Sequence, residues 1–173
     1  MKHIIRSNSS LHPYPSAEAI QPNAVDLCLE KVFEYEKNSP FRISESSKMH
    51  RVGHEMQPDE SGWYHLEEGA YEVQFSQTVK IGPGEAGWVI TRSTLNRNGL
   101  FLTSGLYDSG YHGAMAGCLH IQGGPAVIAK GTRIGQFLLF DAESLSQYSG
   151  SYGFGADGTV KPDEQKYHAE GSK

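Results

Sequence analysis

A chain of 173 residues with 38% hydrophobic content is long enough for one cored domain, and its 20 glycines and eight prolines point to a core of short strands. A formal net charge of −5 argues against a general grip on nucleic-acid backbone, and no apolar run reaches the roughly 20 residues of a membrane helix. Two cysteines without paired spacing, Cys28 and Cys118, argue against a disulfide framework; with a polar N-terminus unlike a signal peptide, they lead to the expectation of a cytoplasmic protein.

Residues 1–20 read as a polar lead-in, in which Pro13 and Pro15 prevent a long helix. Residues 24–29 predict a short strand. The stretch 34–60, rich in Ser, Glu, Lys and His, predicts a surface loop with room for one exposed hairpin. His50 and His54 within it have the i, i+4 spacing that chelates zinc on a helix, but Gly53 and the polar surroundings favour solvated histidines in a loop. Residues 71–75 alternate with period two, as a half-buried strand does. Further strands are predicted at 78–81, 87–90, 100–103, 114–121, 126–128 and 134–140, with one helical turn at 95–98. Closely spaced segments of this kind, punctuated by Gly and Pro, describe an all-β sandwich or barrel. Beyond Phe140 the chain becomes polar and glycine-rich. The segment 147–155 cannot bury enough surface to fold alone, so it is expected to be disordered or ordered by a partner or ligand. The expected organisation is one domain over 1–155, with 147–155 as its closing segment, and a polar tail over 156–173.

Three segments carry groups with chemistry. Gly105-Leu106-Tyr107-Asp108-Ser109-Gly110-Tyr111-His112-Gly113 sets a carboxylate among glycines at the end of a hairpin, accessible and rigidly held, where it can orient and deprotonate a water. Tyr111 offers a flat wall for a sugar, although the same residue types also make an ordinary turn. Thr91-Arg92-Ser93-Thr94-Leu95-Asn96-Arg97 follows an apolar strand. It gathers a guanidinium, hydroxyls and the N–H groups of a starting helical turn, all of which bind phosphate oxygens. An N-cap flanked by solvated arginines uses the same residues. In Gly131-Thr132-Arg133-Ile134-Gly135-Gln136-Phe137, a turn opens into a buried strand and Gln136 is placed to donate its amide to a phosphate.

In this order the segments closely resemble the motifs of the dUTPase/dCTP deaminase superfamily, over residues 20–155. Gln21-Pro22-Asn23-Ala24-Val25-Asp26-Leu27 resembles the first motif, Arg92-Ser93-Thr94-Leu95 the second, 105–113 the third and 131–136 the fourth. Tyr148-Ser149-Gly150-Ser151-Tyr152-Gly153-Phe154-Gly155 resembles the glycine-rich segment that closes over the nucleotide. The resemblance implies an all-β, jelly-roll-like distorted barrel and a homotrimer with active sites at subunit boundaries. It gives Asp108 the role of water-activating aspartate and places Tyr111 beneath the deoxyribose. Arg92, Ser93 and Gln136 would hold phosphates, with Thr94 and Arg97 in the same segment. Gly105 and its neighbours would present backbone groups to the pyrimidine, and Tyr148 and Phe154 would come from the closing segment. Asp26 would contact a water bound to Mg²⁺, the metal itself being carried by the triphosphate.

The superfamily divides into hydrolases and deaminases, and the chain resembles both. Its first motif, the run from Arg92 to Arg97 and Tyr148-Ser149-Gly150 look like the deaminase branch. Deaminases, however, carry a catalytic glutamate on the strand after the third motif, and that position here is Cys118, in a strand 114–121 without any carboxylate. A thiol with an ordinary pKa of about 8.5 is a poor replacement. His120 shares the face of Cys118 and offers a less ordinary substitute. The signature of the zinc-dependent nucleotide deaminases, PCxxC, is absent. The expected function is therefore Mg²⁺-assisted hydrolysis of dUTP to dUMP and pyrophosphate, without nucleic-acid or membrane partners. The alternatives are a dCTP deaminase, a bifunctional enzyme, or a catalytically silent nucleotide-binding paralogue.

Overall fold

The computed structural model describes residues 1–168. Its strands, in chain order, are β1 (Ser10–His12), β2 (Val25–Tyr35), β3 (Arg42–Ser44), β4 (Ser47–Met49), β5 (Gly53–Glu55), β6 (Trp63–Leu66), β7 (Gly69–Lys80) and β8 (Glu85–Thr91). A single turn α1 (Ser93–Asn96) precedes β9 (Leu100–Thr103), β10 (His112–Ile121), β11 (Ala126–Ala129) and β12 (Arg133–Asp141), and a second turn, α2 (Gln165–His168), ends the described chain. No helix among the described residues is long and apolar enough to cross a membrane.

The main sheet runs β8-β12-β2-β7-β10-β9, antiparallel throughout, with β1 added on β7 and β5 on β2. Alternation fills its inside. Tyr71, Val73 and Phe75 of β7, Met115, Leu119 and Ile121 of β10, and Ile134, Phe137 and Leu139 of β12 are all buried around Leu27 and Leu29 of β2. The sheet curls until its end strands meet. Gly87 and Tyr107 form a backbone bridge there. The rest of that join is made by hydroxyls: Thr91 Oγ1 donates to the Leu102 carbonyl at 3.0 Å and accepts its N–H at 2.7 Å, while Ser104 Oγ accepts the Val89 N–H at 3.2 Å. The result is the all-β, nearly closed barrel that the resemblance implies.

Several expected bounds shift, each for a visible reason. β2 runs on past residue 29 because Val32 and Phe33 are also buried, while Lys31 pairs with Glu55 at 3.0 Å. The two strands expected at 71–75 and 78–81 form one strand, β7, whose register against β10 shifts between Ala114 and Ala116. The helical turn begins at Ser93 rather than Leu95. The expected hairpin within 34–60 is β3–β4, exposed at every residue. The lead-in belongs to the barrel: Ile4, Leu11 and Ala19 join the core, and Lys2 and Ser9 bind the buried carboxylate of Glu85.

The C-terminal part departs most from its composition. Residues 148–168 fold back onto the start of β10, where Glu164 is fully buried and Tyr167 nearly so. The Glu164 carboxylate accepts the N–H groups of Ala114 and Gly153. Buried with hydrogen-bond partners, a carboxylate fixes a chain that has little apolar surface to offer. Of the stretch 156–173 expected as a polar tail, residues 162–168 are thus seated on the barrel, and 169–173 lie outside the described residues.

Candidate active site

Two clusters hold the residues singled out from the sequence. The first is built by strand register. Pairing of β12 with β2 sets Gln136 opposite Asp26, and pairing of β12 with β8 brings the end of β8 and Arg92 alongside. Asp26 is fully buried. Gln136 Nε2 donates to its Oδ1 at 3.0 Å, and the guanidinium groups of Arg92 and Arg133 stand 3.3 and 3.4 Å from its Oδ2. Arg92 also donates to the Arg133 carbonyl at 3.0 Å. A carboxylate sealed in this way fixes the directions of two cations and an amide whose outer edges remain partly exposed, which is a preorganised surface for an anion. Asp26, expected at a metal-bound water, lies beneath the surface, with Arg92, Arg133 and Gln136 against its carboxylate. Ser93, Thr94 and Arg97 lie exposed on or beside α1.

The second cluster is the hairpin between β9 and β10. Ser109 donates its hydroxyl to the Gly82 carbonyl and accepts the Tyr148 N–H, and Gly110, at φ 83°, donates to Ile81. These ties hold the hairpin against the barrel while leaving Asp108 exposed, and among the described residues its carboxylate has no hydrogen-bond or ion-pair partner. Gly105 is open on the same hairpin. Tyr111 is buried, packed 5.3 Å from the Tyr107 ring and 5.2 Å from Tyr148.

Beside this hairpin opens a cavity of about 460 Å³, walled by Tyr107, Tyr111, Tyr148 and Tyr152 and floored by β10 through Ala114, Ala116, Gly117 and Cys118. Burial raises the ionisation of Tyr107 and Tyr111 well above the usual phenol range, and burial together with the Asp163 carboxylate pushes Tyr152 up to about 12. Burial and then the Glu72 carboxylate also raise the Cys118 thiol. These groups stay protonated near neutral pH, so none of them is a base.

The closing segment, expected to be disordered unless a partner or ligand orders it, forms part of this wall within the chain itself. Tyr148 and Tyr152 face the cavity, whereas Phe154 packs between His112 and His168, at 4.9 and 5.3 Å. Its seat requires glycine: a Cβ on Gly113 would stand 2.5 Å from Gly153 Cα and 2.9 Å from Glu164 Oε1. Overpacking of this kind costs ~1–3 kcal/mol. Gly113→Ala should therefore speed limited proteolysis within residues 148–168 by about tenfold or more, while sites in the barrel strands remain protected.

Among the described residues, no hydrogen bond or ion pair joins Asp108 or Tyr111 to Asp26, Arg92 or Gln136. Beyond the residues singled out from the sequence, the structure adds Arg133 to the Asp26 cluster, Glu72 and Arg51 to the cavity wall and Glu164 beneath the closing segment. Arg133 lay inside the fourth motif and could have been found there. Glu72 lay at an outward position of an alternating strand, and no local signal says that this face is covered.

Comparisons with known proteins bear on the family and the fold. A family model described as dCTP deaminase-like matches residues 1–142. A probable deoxyuridine 5′-triphosphate nucleotidohydrolase of Halobacterium salinarum is 33% identical over 147 residues, covering 82% of this chain and 87% of that protein. One from Aeropyrum pernix is 34% identical over 137 residues, covering 78% and 84%. Among solved structures, 2′-deoxycytidine 5′-triphosphate deaminase from Agrobacterium tumefaciens shares the fold, with a TM-score of 0.57 at 17% identity over 76% of this chain. The chain spans 43% of that deaminase's length.

Proposed function

The chain belongs to the dUTPase/dCTP deaminase superfamily, and from that premise we propose that it is a dUTP diphosphatase releasing dUMP and pyrophosphate. One observation carries the reading: Asp108, exposed and without a partner among the described residues, stands on the hairpin whose Gly105, Leu106, Tyr107 and Tyr111 line a cavity, and the β10 floor of that cavity has Cys118 where a deaminase needs its glutamate. The curated relatives, named as nucleotidohydrolases, support it.

In the proposed reaction Asp108 orients a water and takes its proton as the water attacks the α-phosphorus, with pyrophosphate leaving. Tyr111 packs beneath the deoxyribose. Arg92, Arg133 and Gln136, aimed by Asp26, receive the negative charge of the triphosphate, helped by Ser93 and Thr94. In this reading the complete site forms in a homotrimer, one subunit's Asp108 hairpin facing a partner's Arg92 cluster. Among the described residues no group of three His, Cys, Asp or Glu side chains is arranged to hold a metal. In this reading Mg²⁺ would be carried by the triphosphate, where it would neutralise phosphate charge.

The test is to incubate the protein with dUTP and, separately, with dCTP, each with Mg²⁺, and to resolve the products by ion exchange. The expected outcome is dUMP and pyrophosphate from dUTP and no uracil nucleotide from dCTP. Appearance of dUTP or dUMP from dCTP overturns the hydrolase-only reading.

A further inference from the structure

The cavity beside Asp108 has a polar wall for which attack at phosphorus has no use. β7 supplies Glu72, whose side chain is 12% exposed, and the strand register sets it directly opposite Cys118. Cross-strand partners stand side by side on one face of a sheet, so Glu72 restores a carboxylate next to the position where β10 has none. The C-terminal turn holds it: Lys166 Nζ stands 2.7 Å from the carboxylate, and Tyr167 Oη donates to Oε1 at 2.6 Å. Arg51 reaches the same cavity from the 34–60 stretch. Two residues along β7 on the same face, Gln74 is more than nine-tenths buried, and its Oε1 has no partner among the described residues.

The backbone of the floor is already occupied. Tyr111 Oη donates to the Ala114 carbonyl, and Glu164 accepts the Ala114 N–H. Tyr107 Oη both donates to the Ala116 carbonyl and accepts its N–H. A flat heterocycle entering this space meets tyrosine rings, and the charged side chains that the cavity offers its polar edge, besides the Gly105 backbone, are Glu72, Lys166 and Arg51.

We infer that Glu72 is the specificity-determining residue for the nucleobase, its carboxylate accepting the uracil N3–H while the lysine it holds, Lys166, donates to the C4 oxygen. The inference rests on the site taking dUTP. A carboxylate has about four acceptor positions, so its contacts with Lys166 and Tyr167 leave capacity for one more donor. Cytosine presents an acceptor at N3 in place of that donor. In the pose that reads uracil, an ionised carboxylate cannot donate to it, two acceptors would face each other across a partly buried contact, and Lys166 would face the 4-amino group. Cytosine must shift to give its 4-amino group to Glu72, away from the pose that uracil takes, so the preference for uracil is set by a residue on β7, without help from β10.

Three proteins test this: wild type, Glu72→Gln and Tyr167→Phe. For each, kcat and KM for dUTP and the inhibition constant of dCTP are measured, with equilibrium dissociation constants of both nucleotides by calorimetry. An amide can donate to cytosine N3, so Glu72→Gln should raise KM for dUTP about tenfold, leave kcat within about twofold, and narrow the preference for dUTP over dCTP by about tenfold or more. Tyr167→Phe keeps the carboxylate while loosening the cap, and it should retain the wild-type preference. An unchanged preference in Glu72→Gln overturns the inference, as does an equal weakening of both nucleotides in the two variants, which would mark Glu72 as a strut for the cap. Deamination of dCTP by wild type that is lost in Glu72→Gln also overturns it, making Glu72 a proton shuttle. If wild type binds but does not hydrolyse dUTP, the diphosphatase reading fails, and the ratio of dissociation constants still decides the role of Glu72.

Discussion

Asp108→Asn should lower kcat for dUTP by a factor of about 10²–10⁴, the range that a positioned general base contributes, and leave dUTP binding unweakened. The structure makes this a clean substitution. The Asp108 side chain is exposed and has no hydrogen-bond or ion-pair partner among the described residues, and the hairpin is held by Ser109, Gly110 and Tyr107 instead. Loss of activity thus cannot be blamed on a collapsed turn. Removing a negative charge near a triphosphate also favours binding, if anything, so kcat and affinity should separate. Single-turnover rates with calorimetry of a non-hydrolysable dUTP analogue measure both. Equal turnover in variant and wild type would refute the assignment of Asp108 as the base. Binding without turnover in wild type itself would make the chain a silent nucleotide-binding member of its family.

The second large effect is expected at Asp26, through stability as well as rate. Asp26→Ala leaves the guanidinium groups of Arg92 and Arg133 and the Gln136 amide converging on a site without their anion. Breaking a fully buried pair costs ~3–5 kcal/mol. The Arg92 and Arg133 side chains are 29% and 38% exposed and recover part of their hydration, which favours the lower end of that range. For a domain of this size, each kcal/mol lowers Tm by roughly 2–4 °C, so a fall of about 6–12 °C follows. Arg92 and Gln136 also lose their aim, and KM for dUTP should rise with it. Asp26→Asn keeps an acceptor for Gln136 and should cost less than half as much. Calorimetric melting of the two variants measures this, and an Asp26→Ala protein that melts with wild type would exclude the proposed role.

Much of the barrel was legible because alternation survives burial on one face. Tyr71, Val73 and Phe75 point inward between polar neighbours, and β9 has the bounds that its composition predicts. What was hidden depends on partners distant in sequence. The second half of β2 mixes Lys31 and Glu34 with Val32 and Phe33, a pattern without strand alternation, and its pairing with β5 shows only in the folded sheet. Glu164 could not be read as buried, since a glutamate goes inside only with partners, and these are the N–H groups of Ala114 and Gly153. The site divides in the same way. Asp108, Arg92 and Gln136 stand in ordered motifs, whereas the convergence of Arg92, Arg133 and Gln136 on Asp26 follows from a register that only the folded sheet displays.

The join that closes the barrel ends at two places that matter. Thr91 immediately precedes Arg92, and Ser104 immediately precedes Gly105, so the hydroxyls that stitch β8 to β9 are adjacent in sequence to the two clusters of the site. A wall held by rotatable hydroxyls yields to shear where a backbone ladder resists it. The barrel is thus softer to shear along this join, between the Arg92 cluster and the Asp108 hairpin, than along its backbone-paired strands. The Gly87–Tyr107 bridge is the backbone tie along this join.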